Sequence, residues 1–80
     1  NGGNTAVGYQ SLFKTYTGGN NTGIGSWSGY FNEVGQDNTY IGTSSYSTSN
    51  LNNSMAIGAD SYVNVSNSVS VGDVNTNVIG

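Results

Sequence analysis

A short motif returns along the whole chain: Asn, then Thr or Ser, one or two further residues, Val or Ile, and finally Gly. It occurs as Asn4-Thr5-Ala6-Val7-Gly8, Asn21-Thr22-Gly23-Ile24-Gly25 and Asn38-Thr39-Tyr40-Ile41-Gly42. One residue longer, it returns as Asn53-Ser54-Met55-Ala56-Ile57-Gly58 and Asn67-Ser68-Val69-Ser70-Val71-Gly72, and a last copy is Asn75-Thr76-Asn77-Val78-Ile79-Gly80. The closing glycines are 17, 17, 16, 14 and 8 residues apart, and four of them are followed three positions later by Ser11, Ser28, Ser45 and Ser61. A repeat held in register over this length dictates a repeat architecture before any local propensity is considered.

The period is too short for a helical hairpin and too long for a single strand. It suits one coil of a solenoid, with two short strands and two turns, and predicts an all-β parallel β-roll of about five coils. Within each motif the residues alternate as in a strand, so that Ile24 shares a face with Thr22 while Gly23 points the other way. The expectation is that Val7, Ile24, Ile41, Ile57, Val71 and Ile79 stack as an internal core ladder. The glycine after each strand then provides the backbone freedom for a tight turn. Helix is disfavoured by the glycine and β-branched content, and the absence of proline suits an unbroken ladder.

On the other strand face stand Ala6, Gly23, Ala56, Ser70 and Val78, with Tyr40 as the one large member. Small residues let another backbone approach closely, so this row is expected to face a threefold axis in a homotrimer; the alternative is a row exposed to solvent. Gly, Asn, Ser and Thr fill more than half of the 80 positions, and the formal net charge is only -3. With so few large apolar side chains, a lone coil cannot bury enough surface to order itself, and stacking on neighbouring coils and on other chains is the natural remedy.

The absences narrow the function. Without Cys there is neither a disulfide framework nor a thiolate metal site. Lys14 is the only basic residue, which leaves nothing to neutralise phosphates and argues against nucleic acid. Apolar runs of three residues, such as Met55-Ala56-Ile57, argue against membrane insertion. The chain opens partway through a repeat and without methionine, as a segment of something longer would.

Chemistry is sparse. The acids Glu33, Asp37, Asp60 and Asp73 are scattered over the repeat, and no apolar pocket is visible that would raise a carboxyl pKa for glycoside hydrolysis. A non-enzymatic chain without cofactor or metal is expected. Asp37 and Asp60 have oxygen-bearing neighbours, but the glycine-aspartate nonapeptide of calcium-binding rolls is missing. The Asn-x-Ser/Thr sequons at Asn20, Asn52 and Asn64 are what this composition produces by chance. A threonine series, Thr5, Thr22 and Thr39, is found on ice-binding solenoids too, but here it shares a face with the apolar ladder and is expected to point inward.

Aromatic residues are the better candidates for binding. Tyr16, Trp27, Tyr30 and Phe31 fall on or beside the long turns of the first two coils, and rings with a polar edge suit sugar faces or protein partners. The alternative for each is a plug in the interior or an interface, and Trp27, flanked by Ser26 and Ser28, is the one expected to be partly exposed. The longer coils place extra residues at about 15–19, 32–36 and 48–52, and loops on a rigid scaffold are where binding tends to reside.

The stretch Asn53-Ser54-Met55-Ala56-Ile57-Gly58-Ala59-Asp60-Ser61 resembles the head repeat of YadA-like trimeric autotransporter adhesins, N-S-x-A-I-G-x-x-S. Ser68-Val69-Ser70-Val71-Gly72 with Thr76-Asn77-Val78-Ile79-Gly80 is similar to the neck of those adhesins. Asn4-Thr5-Ala6-Val7-Gly8-Tyr9-Gln10-Ser11-Leu12 resembles repeats of phage tail fibres and related bacterial fibre proteins. The resemblance implies a left-handed roll in a tight homotrimer, with residues 1–66 as head repeats and 67–80 as a last coil and neck-like connector. It implies an extracellular fibre on a cell surface or virion that attaches to a host or prey surface glycan or protein. A plain structural spacer of a fibre is the alternative. The family's head repeats run nearer 14 residues, shorter than the first two intervals here.

Overall fold

The computed structural model describes residues 2–47 and 50–73. Five three-residue strands, β1 (Thr5–Val7), β2 (Thr22–Ile24), β3 (Thr39–Ile41), β5 (Met55–Ile57) and β7 (Val69–Val71), stack in chain order as one parallel sheet. A second, smaller parallel sheet pairs β4 (Tyr46–Ser47) with β6 (Tyr62–Val63). The chain thus winds as an all-β parallel solenoid of about four turns among the described residues, one fewer than the repeat count suggests. The sixth motif copy, with Val78 and Ile79, lies outside the described residues.

Register follows the repeat. Val7, Ile24, Ile41, Ile57 and Val71 are successive partners, as are Ala6, Gly23, Tyr40, Ala56 and Ser70. One column needs correction, because Thr39 pairs with Met55, and Met55 with Val69. Ser54 therefore occupies the position of Asn38, and the asparagines of the longer motif, Asn53 and Asn67, slide to the corner before it.

The direction of the strand faces is the reverse of the expectation. The β-branched ladder points out of the coil: Val7 is 57% exposed, Ile24 41%, Ile41 38% and Val71 51%, with Ile57 half-buried. The small row points in: Gly23, Tyr40 and Ala56 are buried, Ser70 is half-buried, and only Ala6 in the first coil is exposed. The reason is the thinness of the coil. A Cβ on Gly23 would lie 2.6 Å from the Ser11 hydroxyl and 2.9 Å from Leu12 Cγ, so no branched side chain fits there. Tyr40 fits because glycines make room for it. A Cβ on Gly29 would meet its ring at 2.6 Å, and Gly23 pairs directly above it.

The interior is accordingly half polar. Leu12, Tyr40, Leu51, Ala56 and Val63 form its apolar part. Beside them runs an amide ladder. The Asn4 Oδ1 accepts the Asn21 N–H at 2.9 Å, Asn21 Oδ1 the Asn38 N–H at 3.0 Å, and Asn38 Oδ1 the Ser54 N–H at 2.9 Å. Each amide donates in turn to a carbonyl of the next coil: Asn4 to Gly18 at 3.0 Å, Asn21 to Gly35 at 2.9 Å and Asn38 to Leu51 at 2.7 Å. A buried asparagine of this kind satisfies backbone groups that the thin coil leaves without a partner. Sequence reading places Asn at turns; Asn21 and Asn38 are instead fully buried, while Asn53 and Asn67 lie at an exposed corner.

The serine column is also interior. Ser28, Ser45 and Ser61 are fully buried, and the hydroxyls of Ser11 and Ser28 are 2.8 Å apart. Each serine N–H closes a turn on the glycine three residues earlier, from Ser11 to Gly8 at 3.3 Å through Ser61 to Gly58 at 3.2 Å. The position before each serine, occupied by Gln10, Trp27, Ser44 and Asp60, has φ between 55° and 65°. A second left-handed column, Asn20, Asp37, Asn53 and Asn67, precedes the amide ladder. Asn and Asp tolerate that region better than other side chains, which accounts for Asp37 as a corner residue.

Tyr40 sets a testable pH limit. Its hydroxyl lies 2.6 Å from Ser47 Oγ in the interior, and burial raises its pKa above the ordinary 10.0, with the Ser47 bond acting in the other direction. An acid whose folded pKa is raised is stabilising below its unfolded pKa, and that contribution is lost as pH climbs through the folded value. Stability should therefore fall above about pH 10. Tyr40→Phe should flatten that fall while weakening the fold at neutral pH by about 1–2 kcal/mol for the lost bond. Urea titrations across pH 7–11 check both.

Candidate functional site: an aromatic ridge and an uncharged sheet face

Just past the turn that ends each sheet strand, the coils stack aromatic rings. Tyr9 and Trp27 are 6.2 Å apart between centroids, Trp27 and Tyr30 4.6 Å, and Phe13 lies parallel to Tyr30 at 5.4 Å. The series continues from Tyr30 to Phe31 at 5.0 Å, Phe31 to Tyr46 at 6.2 Å and Tyr46 to Tyr62 at 4.6 Å. The result is a continuous ridge over all the coils. The Lys14 ammonium stands 5.6 Å from the centroids of both Tyr30 and Phe31, within cation–π range.

Of the expected binding residues, Trp27, Tyr30 and Phe31 come together. Tyr16 does not join them: its ring is 67% exposed and makes no ring contact among the described residues. It sits at the corner where coil length varies, between Phe13 and Gly18. Tyr9, Phe13, Tyr46 and Tyr62 also belong to the ridge, beyond the binding residues expected from the sequence. A signal was present, since Phe13, Tyr30, Tyr46 and Tyr62 each stand one or two residues after a serine of the repeated column.

The rings bound a cleft. Trp27, Ser44 and Asp60, equivalent positions of three successive coils, line it together with Tyr30, Phe31 and Tyr46, around a volume of about 140 Å³. Trp27 holds φ 65° here. A bulky ring in the left-handed region is uncommon, and its column neighbours are Gln10, Ser44 and Asp60.

The other distinctive surface is the outer face of the five-stranded sheet. It carries Thr5, Thr22, Thr39, Met55 and Val69 in one column and the Val/Ile ladder in the second, with no ionisable side chain in either. The inward placement expected for the threonine series is reversed along with the ladder.

Asp60 and Asp73 both line an open depression at the last coil with Tyr62 and Ser70. Among the described residues no cluster of three or more His, Cys, Asp or Glu is placed to hold a metal ion, and no helix is long and apolar enough to cross a membrane. No protein-family model, curated protein or solved structure matches the chain.

Proposed function

We propose that this chain is a non-enzymatic segment of an extracellular fibre, that it assembles as a homotrimer of left-handed rolls through its outer sheet face, and that it presents the aromatic ridge for attachment to a host or prey cell surface. The observation that carries the reading is the outward ladder from Val7 to Val71. Five in-register strands present β-branched side chains on an open, uncharged face, while the coil interior is filled largely with amides and hydroxyls. Burial of apolar area is the main driving force for association, and a contiguous exposed apolar patch marks an interaction surface. A repeating face of this kind fits another copy of itself, since every coil offers the same partner at the same height.

On this reading the interface is the β-branched ladder rather than the small row, of which Gly23 and Ala56 are buried in the coil, Ser70 is half-buried and Ala6 is exposed. The parallel β-solenoid agrees with the resemblance to trimeric adhesin heads and fibre repeats.

Sedimentation equilibrium of the chain is the direct test. A folded species at three times the chain mass, persisting at micromolar concentration, is expected. A folded monomer sinks the assembly. A trimer that binds no cell surface or glycan leaves the spacer role.

A further inference from the structure

We infer that the cleft between Trp27 and Tyr46 is a binding site for a neutral hexopyranose, held by ring stacking and by hydroxyl bonds to Ser44 and Asp60. The inference rests on the attachment role above and names its ligand class. Three features of the cleft carry it.

The first is the arrangement of apolar and polar groups. Trp27 is partly exposed at 40%, and Tyr30, Phe31 and Tyr46 complete a ring-lined wall. Below Trp27 in the same column come a hydroxyl at Ser44 and a carboxylate at Asp60, each one coil further along. Coils repeat at about 4.8 Å, so an aromatic platform, a donor-acceptor and a strong acceptor follow one another at the scale of a sugar ring. A pyranose has that same division, with an apolar C–H face and a rim of hydroxyls. An aliphatic ligand would leave Ser44 and Asp60 unpaired, and a purely polar one would leave the rings unused.

The second is charge. Asp60 is the one carboxylate lining the cleft, and no basic side chain lines it. Lys14 stands over Tyr30 and Phe31 but does not line it. The chain carries -3 overall. A carboxylate accepts hydroxyl protons well and repels a second carboxylate, so a neutral sugar is favoured over an acidic one.

The third is the backbone at Trp27. Its φ of 65° falls where L side chains are rarely found, and the fold has no need of a ring at that position, because Gln, Ser and Asp occupy it in the other coils. Placing an indole on a strained turn is the pattern expected where a side chain serves binding. Two-torsion aromatic residues also lose little freedom when they clamp a ligand.

A cleft of about 140 Å³ takes a single ring rather than an oligosaccharide. Affinity per site should be weak, in the region of 1 mM, and three sites on one fibre segment would act together on a multivalent surface.

Trp27 is the chain's one tryptophan, so its fluorescence reports directly from the cleft. Methyl β-D-glucopyranoside is the chosen probe, because its equatorial hydroxyls leave both ring faces as C–H. Titration of the full chain should give a saturable change in Trp27 emission with a midpoint of about 1–10 mM. Asp60→Asn, which keeps a side chain tolerant of the left-handed corner, should raise the midpoint about 3- to 10-fold, and Tyr46→Ala should abolish the response. N-acetylneuraminic acid should give none. Absence of a saturable response to the glucoside up to about 100 mM, in a chain that sediments as a folded trimer, overturns the sugar site and leaves the fibre reading standing. Saturable binding by a folded monomer does the opposite. Tighter binding of N-acetylneuraminic acid than of the glucoside also overturns the proposal. Because Asp60 is exposed, Asp60→Asn remains informative if Tyr46→Ala fails to fold.

Discussion

Asn38→Ala destabilises the fold by about 3–6 kcal/mol, enough to unfold most small domains at room temperature. Asn38 is fully buried and holds three groups at once. Its Oδ1 accepts the Ser54 N–H at 2.9 Å and the Ser54 hydroxyl at 2.7 Å, and its Nδ2 donates to the Leu51 carbonyl at 2.7 Å. Alanine removes both ends of the amide and leaves an N–H, a hydroxyl and a carbonyl without partners where water does not reach. Losing one side of a buried bond carries the full desolvation penalty of the group left behind, about 1–3 kcal/mol each. The matched control is Asn53→Gly. Asn53 is exposed at the corner with φ 55°, where glycine relieves strain, and its one side-chain bond, to Asn67 at 2.9 Å, faces solvent. That variant should stay within about 1 kcal/mol of the parent. Urea unfolding followed by circular dichroism separates the two. A loss below 1 kcal/mol for Asn38→Ala would show that the amide ladder is not what orders the coils.

That contrast marks the limit of what the sequence discloses. The repeat itself was legible, and with it the parallel stack, because a glycine recurring every 14 to 17 residues leaves a coil as the one economical geometry. The positions of β1, β2, β3, β5 and β7 followed from the same frame. Which strand face lies inside was not legible. Alternation tells that Ile24 and Gly23 face opposite ways, and is silent on the direction. The usual assignment sends the larger apolar residue inward, and it fails here because the Ser11 hydroxyl and the Leu12 side chain leave no room for a branched side chain at Gly23. The identical letter Asn also hid two roles: Asn38 in the ladder and Asn53 at the corner differ by one residue of register.

The candidate site was legible in part for a related reason. Trp27, Tyr30 and Phe31 are neighbours in sequence as well as in space. Tyr46 reaches the same ridge through its contact with Phe31 one coil away, Tyr62 through the pairing of β4 with β6, and Phe13 through its stack on Tyr30. A ridge assembled across coils needs the register before it can be seen. Tyr16, near in sequence, is set apart because its coil has left the ring stack after Phe13, in the turn closed by the Thr15 N–H on the Leu12 carbonyl.

Ile41→Asp should leave the coil intact and abolish assembly, and this pair of outcomes separates an outward ladder from an inward one. Ile41 lies in the middle strand of the sheet and is 38% exposed in the single chain. If it faced the interior, a carboxylate there would unfold the chain, since an uncompensated buried charge is among the most damaging substitutions. Facing outward, the carboxylate is hydrated in the monomer, and the circular dichroism of the parent should be retained. In a trimer packed through this face the same change places three carboxylates at one height, without a cation near them in either column. An unpaired buried charge costs about 3–5 kcal/mol, so association should weaken by about three orders of magnitude or more. Sedimentation equilibrium should then find monomer where the parent is trimeric. Acid provides the internal control. Near pH 3, below the ordinary aspartate value of about 3.9, the side chain is neutral and assembly should return in part, while Ile41→Thr, which keeps the β-branch and matches the threonines of the adjacent column, should remain trimeric throughout. A trimer undisturbed by Ile41→Asp at neutral pH would place the interface on another surface of the coil, and an unfolded Ile41→Asp chain would return the ladder to the interior.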